Sequence, residues 1–385
     1  MNDIYIIGID MIPFRRNTDC TVAQLGGEAA LLALADAGLA VHDLHALYCG
    51  NLLQASASVG QRVMHEIGET GIPVVNTANA CATGATAFRE AYIAVKSGLY
   101  DVVLALGVEQ MGRGGLLGGG GRRDGFVEEG VIGSGTAPAM FAQIGMEHQR
   151  KYGTTFEQFA RVAVKNHHHA TFNPKALIQR ETPLEEVMAA EMISYPNTKL
   201  MCSISVDGAA AAVIASEKTV RKLGLMSRAI RVRASELTSN PYTPRNDAIT
   251  DFNMVTRNCA GRAYESAGVG PGDLDLVELH DCFATAEIVH YENLGLCGDG
   301  EAGCLIDSGE TAIGGRIPVN LSGGLLSKGH PLGATGIANL YELALHLRGK
   351  AGRRQVAQAR LGLAHVCGGG PGMGSSCAIH VLEKV

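Results

Sequence analysis

The sequence has no CxxC pair, no apolar run of membrane-spanning length and no excess of positive charge. Its ten cysteines are scattered along 385 residues. Without paired spacing they suggest neither a zinc framework nor a small secreted disulfide scaffold. Reduced thiols in the cytoplasm are therefore expected. A net charge of −6 argues against broad nucleic-acid binding. No uninterrupted apolar run reaches the length needed to cross a bilayer. The opening MNDIYIIGIDMIPF is too acidic, and its apolar run too short, for a signal peptide. The final LEKV is not the peroxisomal SKL address. The run GRGGLLGGGGRRDG from Gly112 lacks the P-loop lysine and the Rossmann spacing, so it reads as a surface loop. Its Arg113, Arg122 and Arg123 form a basic patch able to meet an anionic cofactor.

What is present fits a soluble globular enzyme: 46% hydrophobic and 18% charged residues. The length exceeds one ordinary core, so two domain-sized units are expected. Ile4 to Ile9 reads as a buried strand. Thr21 to Gly38 has helical apolar spacing and a glycine stop. Leu44 to Cys49 reads as a strand, Ser58 to Glu69 as a helix and Asp101 to Val108 as a further strand. Helices are expected over Ala137 to Tyr152, Phe156 to Thr171 and Leu184 to Ala190, in a subdomain inserted at 111–200. His167, His168 and His169 lie inside it. Adjacent helix positions point to different faces, so a solvated stretch is expected there and not a metal site. Val206 to Ser216 reads as a strand returning to the core.

The stretch NTANACATGATAFRE, from Asn76 to Glu90, places Cys81 where the apolar run Ile72 to Val75 gives way to a run of small residues. A helix N-terminus there would favour the thiolate, the nucleophilic form. Taken alone, the stretch equally fits a small buried cysteine. Internal similarity adds weight. At an offset of 230, Ala37-Gly38 and Asp43-Leu44 match Ala267-Gly268 and Asp273-Leu274. At 249, Cys81-Ala-Thr-Gly84-Ala85-Thr86 lines up with His330-Pro-Leu-Gly333-Ala334-Thr335. Gly208 to Glu217 matches Gly374 to Glu383. Three matches in order argue for a duplication far longer than a solenoid repeat. Each half would bring one junction residue to a shared centre, Cys81 from one and His330 from the other.

Four motifs carry chemistry: Asn79-Ala-Cys81, Glu278-Leu-His280-Asp281-Cys282-Phe283, Ser327-Lys-Gly329-His330-Pro331-Leu-Gly333-Ala-Thr-Gly336, and His365-Val-Cys367-Gly-Gly369. A nucleophilic cysteine needs a base within reach and donors aimed at a developing oxyanion. Histidine suits the first task, and glycine-rich turns suit the second. Carbon–carbon chemistry also needs an acid/base at the carbon alpha to a carbonyl.

In this order the motifs resemble the thiolase superfamily over essentially the whole chain, and GHPLGATG is highly specific for it. HDCF, with SVDGAAAAVIASE and YENLGLC, resembles the sterol-carrier-protein-type thiolases. The resemblance implies an α/β fold of five layers, αβαβα, from two duplicated halves. These would be 1–110 with 201–220, and 221–385, the inserted 111–200 serving coenzyme A and acyl binding. It implies Cys81 as the acylated nucleophile, His330 as its activator and oxyanion partner, and His280 at the second oxyanion site. The second acid/base is Cys282 of HDCF or Cys367 of the last loop. Cys367 stands one residue out of the usual register, so Cys282 is preferred. Backbone of Cys81 and Gly369 would serve the oxyanion. Arg113, Arg122, Arg123, Met140, Ser322 and Gly323 are assigned to coenzyme A binding.

The resemblance implies a thiolase that cleaves 3-ketoacyl-CoA with coenzyme A, or runs the reverse Claisen condensation, with ping-pong kinetics. Coenzyme A is a co-substrate, with no cofactor held permanently and no metal. Related proteins are homodimers or dimers of dimers. The alternative is a thiolase-like aldolase or lyase working with a small zinc-ribbon/OB-fold companion subunit, or another condensing acyltransferase. A non-catalytic thioester binder fits the intact motifs poorly. No sterol-carrier segment follows the last strand, so the resemblance does not imply a sterol substrate.

Overall fold

The structure, a computed structural model, describes residues 3–17, 19–112, 136–242, 251–370 and 374–385. Strand β1 (Ile4–Met11) is apolar at almost every position, as a strand covered on both faces must be. Helix α1 (Val22–Ala37) starts at a capping box: Thr21 accepts the N–H of Gln24, whose side chain returns to the Thr21 N–H. It stops at Gly38, whose φ of 69° an L side chain rarely adopts. Then come β2 (Ala46–Gly50), α2 (Val59–Ile67), β3 (Val74–Thr77), α3 (Thr83–Lys96) and β4 (Val102–Glu109). Next are α4 (Ala137–Tyr152), α5 (Phe156–Ala170), α6 (Leu184–Ala189) and the short hairpin β5 (Met192–Ser194) and β6 (Asn197–Thr198). β7 (Gly208–Ser216), α7 (Glu217–Lys222) and β8 (Ile230–Ser239) lead into the second half. It holds α8 (Phe252–Ala267), β9 (Leu276–Glu278), α9 (Ala284–Asn293), α10 (Ala302–Asp307), α11 (Gly324–Ser327), α12 (Thr335–Leu347), β10 (Leu361–Gly370) and β11 (Gly374–Lys384).

The offset of 230 carries α1 onto α8 at both ends, and both helices stop at a left-handed glycine, Gly38 and Gly268. The strands run β3-β2-β4-β7-β1 in one half and β8-β11-β10-β9 in the other. The halves meet where β1 pairs antiparallel with β8 through Tyr5–Arg231 and Ile6–Ile230. Helix α12 touches β9, β10 and β11 of its own half and β1, β4 and β7 of the other. It lies against α3 in the central layer, which gives the αβαβα layering. The close approach needs glycine. A methyl on Gly84 would overlap the carbonyl oxygen of Gly333, and one on Gly336 the backbone of Ala85. Gly84 in one half, and Gly333 and Gly336 in the other, thus let two helix starts meet.

One expectation fails. His168 is exposed, but His167 and His169 are buried. Helix α5 packs against α6, α9, α10 and α11, so more than one of its faces is covered. His169 donates from Nδ1 to the Asn320 carbonyl at 3.0 Å and accepts the Ile313 N–H at Nε2. His167 Nδ1 meets Thr182 Oγ1 at 2.7 Å. Burial pushes the His167 pKa down to about 4.

Candidate active site

Cys81 sits on the turn between β3 and α3, two residues before the first helical residue. Ala80 is held at φ 48°, a left-handed conformation that alanine adopts only under constraint. The constraint is Thr83, whose hydroxyl donates to the Ala80 carbonyl (2.6 Å) and accepts the Asn79 N–H (2.8 Å). Asn79 is fixed again by Thr86 Oγ1 at 3.0 Å. The turn therefore presents Cys81 at one spot. Its thiol is half-buried, and burial pushes its pKa up to about 12, with Glu109 adding to the shift. The resting group is a thiol. The expected bias of a helix start toward thiolate is outweighed by desolvation, so a base must take the proton.

His330 supplies a candidate from the other half. Its N–H donates to the Ile204 carbonyl at 2.8 Å, and its Nδ1 lies 2.8 Å from Thr335 Oγ1. Its Nε2 is buried without a partner. Burial first, and Lys328 second, push its pKa down to about 3, so the ring is neutral. The loop is pinned across the halves: Glu109, at the end of β4, accepts N–H groups of Leu52 (2.9 Å), Leu53 (3.1 Å) and Gly333 (3.2 Å). An acidic residue ending the apolar strand VVLALGVE was the one sequence signal for this anchor.

His280 follows β9. Its ring meets that of His330 edge-on, with centroids 5.0 Å apart. One side-chain ligand atom from each of Cys81, His280 and His330 lies within 4.8 Å of the others. The fold thus gathers these three sequence-predicted residues. Burial, then the neighbouring histidines 330, 365 and 290, hold His280 neutral. Asp281, between His280 and Cys282, has a scaffold role: it accepts the Leu325 N–H (2.8 Å) and an Asn166 amide N–H (2.8 Å). Asn166 also reaches Glu287 (2.7 Å), which pairs with Lys165 (2.8 Å) and receives Asn320 Nδ2 (2.7 Å). Asn320 Oδ1 closes the network on the Leu279 N–H at 2.8 Å. Sequence reasoning missed this support under HDCF.

The two remaining cysteines differ in place. Strand alternation sends Val366 and Gly368 toward α3: Val366 packs with Ala82 and Ala85, and a methyl on Gly368 would overlap the Cys81 backbone N. His365 and Cys367 therefore face the other side. There Cys367 Sγ lies 3.6 Å from His290 Nε2, and the His290 ring meets His365 edge-on at 4.5 Å. His365 Nδ1 receives the His280 N–H at 3.4 Å, tying this group to the first. Cys282 is buried. Burial, then Cys367, Cys81 and Asp281, hold its proton on. His290 was invisible in the sequence because every residue of α9 is buried, which erases helical periodicity.

Gly369, two residues past Cys367, has φ 135°. Met140 is buried in the cluster that also holds Phe141, Phe252 and Phe283. Ser322 is buried and donates its hydroxyl to Glu278 at 2.5 Å, and Gly323 packs against Ala170. Arg113, Arg122 and Arg123 lie outside the described residues. Among the described residues, no helix is long and apolar enough to cross a membrane.

Comparison with known proteins is consistent across the chain. The family model described as "Thiolase, N-terminal domain" matches residues 4–191, and "Thiolase C-terminal domain-like" matches 235–384. Sterol carrier protein 2 of Bos taurus is 40% identical over 384 residues, covering 95% of this chain and 70% of that protein. Acetyl-CoA acetyltransferase of Methanothermobacter thermautotrophicus is 36% identical over 397 residues, covering 100% of both. Among solved structures, the Ltp2-ChsH2(DUF35) aldolase superposes with a TM-score of 0.82 at 26% identity, over 99% of this chain and 98% of its own.

Proposed function

This chain belongs to the thiolase family, and from that premise we propose that it is a coenzyme A acyltransferase working through an acyl-Cys81 intermediate. One observation carries the reading: a thiol on a constrained turn, within 4.8 Å of two neutral histidines, beside a buried His330 Nε2 that has no partner. In the cleaving direction, Cys81 gives its proton to His330 Nε2 and its sulfur attacks the 3-keto carbonyl of the substrate. The carbon–carbon bond breaks, and its electron pair stays on the departing thioester as an enolate. We assign Cys282 of HDCF the protonation of that enolate, with Cys367, which lies in electrostatic reach of both Cys81 and Cys282, as the alternative. The Cys282 thiolate regains a proton from the His330 imidazolium. Coenzyme A then gives its thiol proton to His330, attacks the acyl-Cys81 carbonyl and releases Cys81, which takes that proton back. His280, a neutral imidazole, supplies a donor for a developing oxyanion.

Coenzyme A is the proposed co-substrate, with Arg113, Arg122, Arg123, Met140, Ser322 and Gly323 as its assigned contacts. A homodimer is proposed through the open edge of β3, where Val75 is exposed. Sedimentation of a monomer at micromolar concentration would contradict that pairing. The test of the chemistry is incubation with acetyl-CoA or acetoacetyl-CoA, an acid quench and peptide mass spectrometry. Acetyl on Cys81, absent in Cys81→Ser, is the expected result. An unmodified Cys81 with bound thioester sinks the acyl-enzyme reading for these substrates.

The likeness to the Ltp2-ChsH2(DUF35) aldolase favours a second reading, an aldolase or lyase with a companion subunit. It predicts carbon–carbon cleavage of a 3-hydroxyacyl thioester that survives Cys81→Ser.

A further inference from the structure

We propose that Thr335 is a positioning residue that holds His330 in the tautomer with its proton on Nδ1. Thr335 Oγ1 lies 2.9 Å from the carbonyl oxygen of Pro331 and 2.8 Å from His330 Nδ1. A carbonyl oxygen only accepts, and a hydroxyl carries a single proton. We place that proton toward Pro331, 2.9 Å away, so that the contact with the ring is Nδ1–H donating to Oγ1. The lone pair of the neutral ring is then on Nε2, the buried atom with no partner. In the opposite tautomer Nε2 would carry the hydrogen and could take no proton from Cys81. Since His330 is neutral, the choice lies between two neutral forms.

The Pro331 carbonyl does not depend on the hydroxyl. It already accepts the N–H groups of Ala334 (2.9 Å) and Thr335 (3.0 Å). Loss of the hydroxyl would leave that carbonyl with two donors and His330 Nδ1 with no partner. The duplication shows the same device turned to another end. Thr335 stands five residues after His330, and Thr86 stands five after Cys81. Thr86 Oγ1 receives Asn79 Nδ2 at 3.0 Å and so steadies the turn that carries Cys81. One inherited hydroxyl steadies the cysteine's turn in one half and orients the histidine in the other. When Cys81 gives up its proton, the S–H bond breaks and an Nε2–H bond forms. The imidazolium keeps its Nδ1–H on Thr335, which supports the charge.

The inference rests on the acyl-Cys81 reading for its importance, and its test separates the two. Protein labelled with 15N-histidine, as wild type, Thr335→Val and Thr335→Ser, is examined by long-range 1H–15N correlation near pH 7.5. Rates of Cys81 acylation by acetyl-CoA are measured in parallel. Wild type and Thr335→Ser are expected to show hydrogen on Nδ1 and bare Nε2. Thr335→Val is expected to shift toward Nε2–H and to acylate about tenfold more slowly, the scale of one lost hydrogen bond. Its KM should hold, and Thr335→Ser should stay within about threefold of wild type, as a conserved hydrogen bond requires. Hydrogen on Nε2 in the wild type overturns the proposal without any variant. So does a Thr335→Val protein with unchanged tautomer and rate, or a Thr335→Ser protein as slow as Thr335→Val. If wild-type Cys81 is never acylated while the Nδ1–H tautomer is seen, the acyl-enzyme reading falls and the positioning of His330 stands.

Discussion

Replacing Gly368 by alanine puts a methyl group into the backbone of the cysteine turn. The new Cβ would overlap the Cys81 backbone N and come within 3.0 Å of its Cα and Cβ. Neither side yields cheaply. Gly368 lies inside β10, paired with Ser376 of β11, and the cysteine turn is held by Thr83 and Thr86. Gly368 does not have positive φ, so the cost is steric and not conformational. Overpacking of this kind destabilises by about 1–3 kcal/mol. A shift of roughly 1 Å at a reacting group lowers rates by about 10²-fold. We expect a fall of that size in Cys81 acylation, read by single-turnover mass spectrometry, with a reduced urea midpoint. Gly261→Ala is the control: its methyl meets nothing within 4 Å and lies inside helix α8, so a gain of about 0.5–1 kcal/mol is expected. A Gly368→Ala protein that acylates within about threefold of wild type at unchanged stability would refute the argument that this glycine sets the position of Cys81.

Lys165→Met removes the cation that pairs with Glu287 in the buried network under HDCF. Urea unfolding should show a loss of about 3 kcal/mol, the scale of an uncompensated buried charge. The double variant Lys165→Met with Glu287→Gln should recover much of it, and a double variant no better than the single would show that the pair is not the cause. Glu342 gives a pH dependence. Burial alone would raise its pKa, but the hydrogen bond from His346 and the charge of Arg354 outweigh it and hold the carboxyl down at about 2. A group lowered from 4.5 stabilises the fold above that value and loses its contribution as pH falls toward about 2. Urea midpoints should therefore drop between pH 4.5 and 2, and less steeply in Glu342→Gln. Equal slopes in the two proteins would remove Glu342 as the source.

The parts of the fold that the sequence made legible are those encoded by local stops and spacings. Gly38 and Gly268 end α1 and α8 because both must turn left-handed, and the turns after them repeat at the same offset. The register that set Cys81 against His330 was readable because both precede helix starts rich in glycine and alanine, which the close packing of α3 and α12 requires. The support of the site was not readable in this way. Lys165, Asn166, Glu287 and Asn320 look like surface residues in sequence. Only tertiary packing shows that they satisfy one another beneath Leu279 and Asp281.

The misreading of the histidine run has one cause: a residue's face was inferred from its own segment when a neighbouring segment decides it. His167 and His169 were read as solvated because a single helix has an outer face, yet α5 is covered by four other helices. In β10 the two-residue period turns Gly368 toward α3 and Cys367 toward His290. The same alternation explains why the strand carries glycine at 368. A side chain there would occupy the space of the cysteine turn, whereas the opposite face has room for a thiol and two imidazoles. β10 thus makes room for the turn that carries Cys81 by the absence of a side chain.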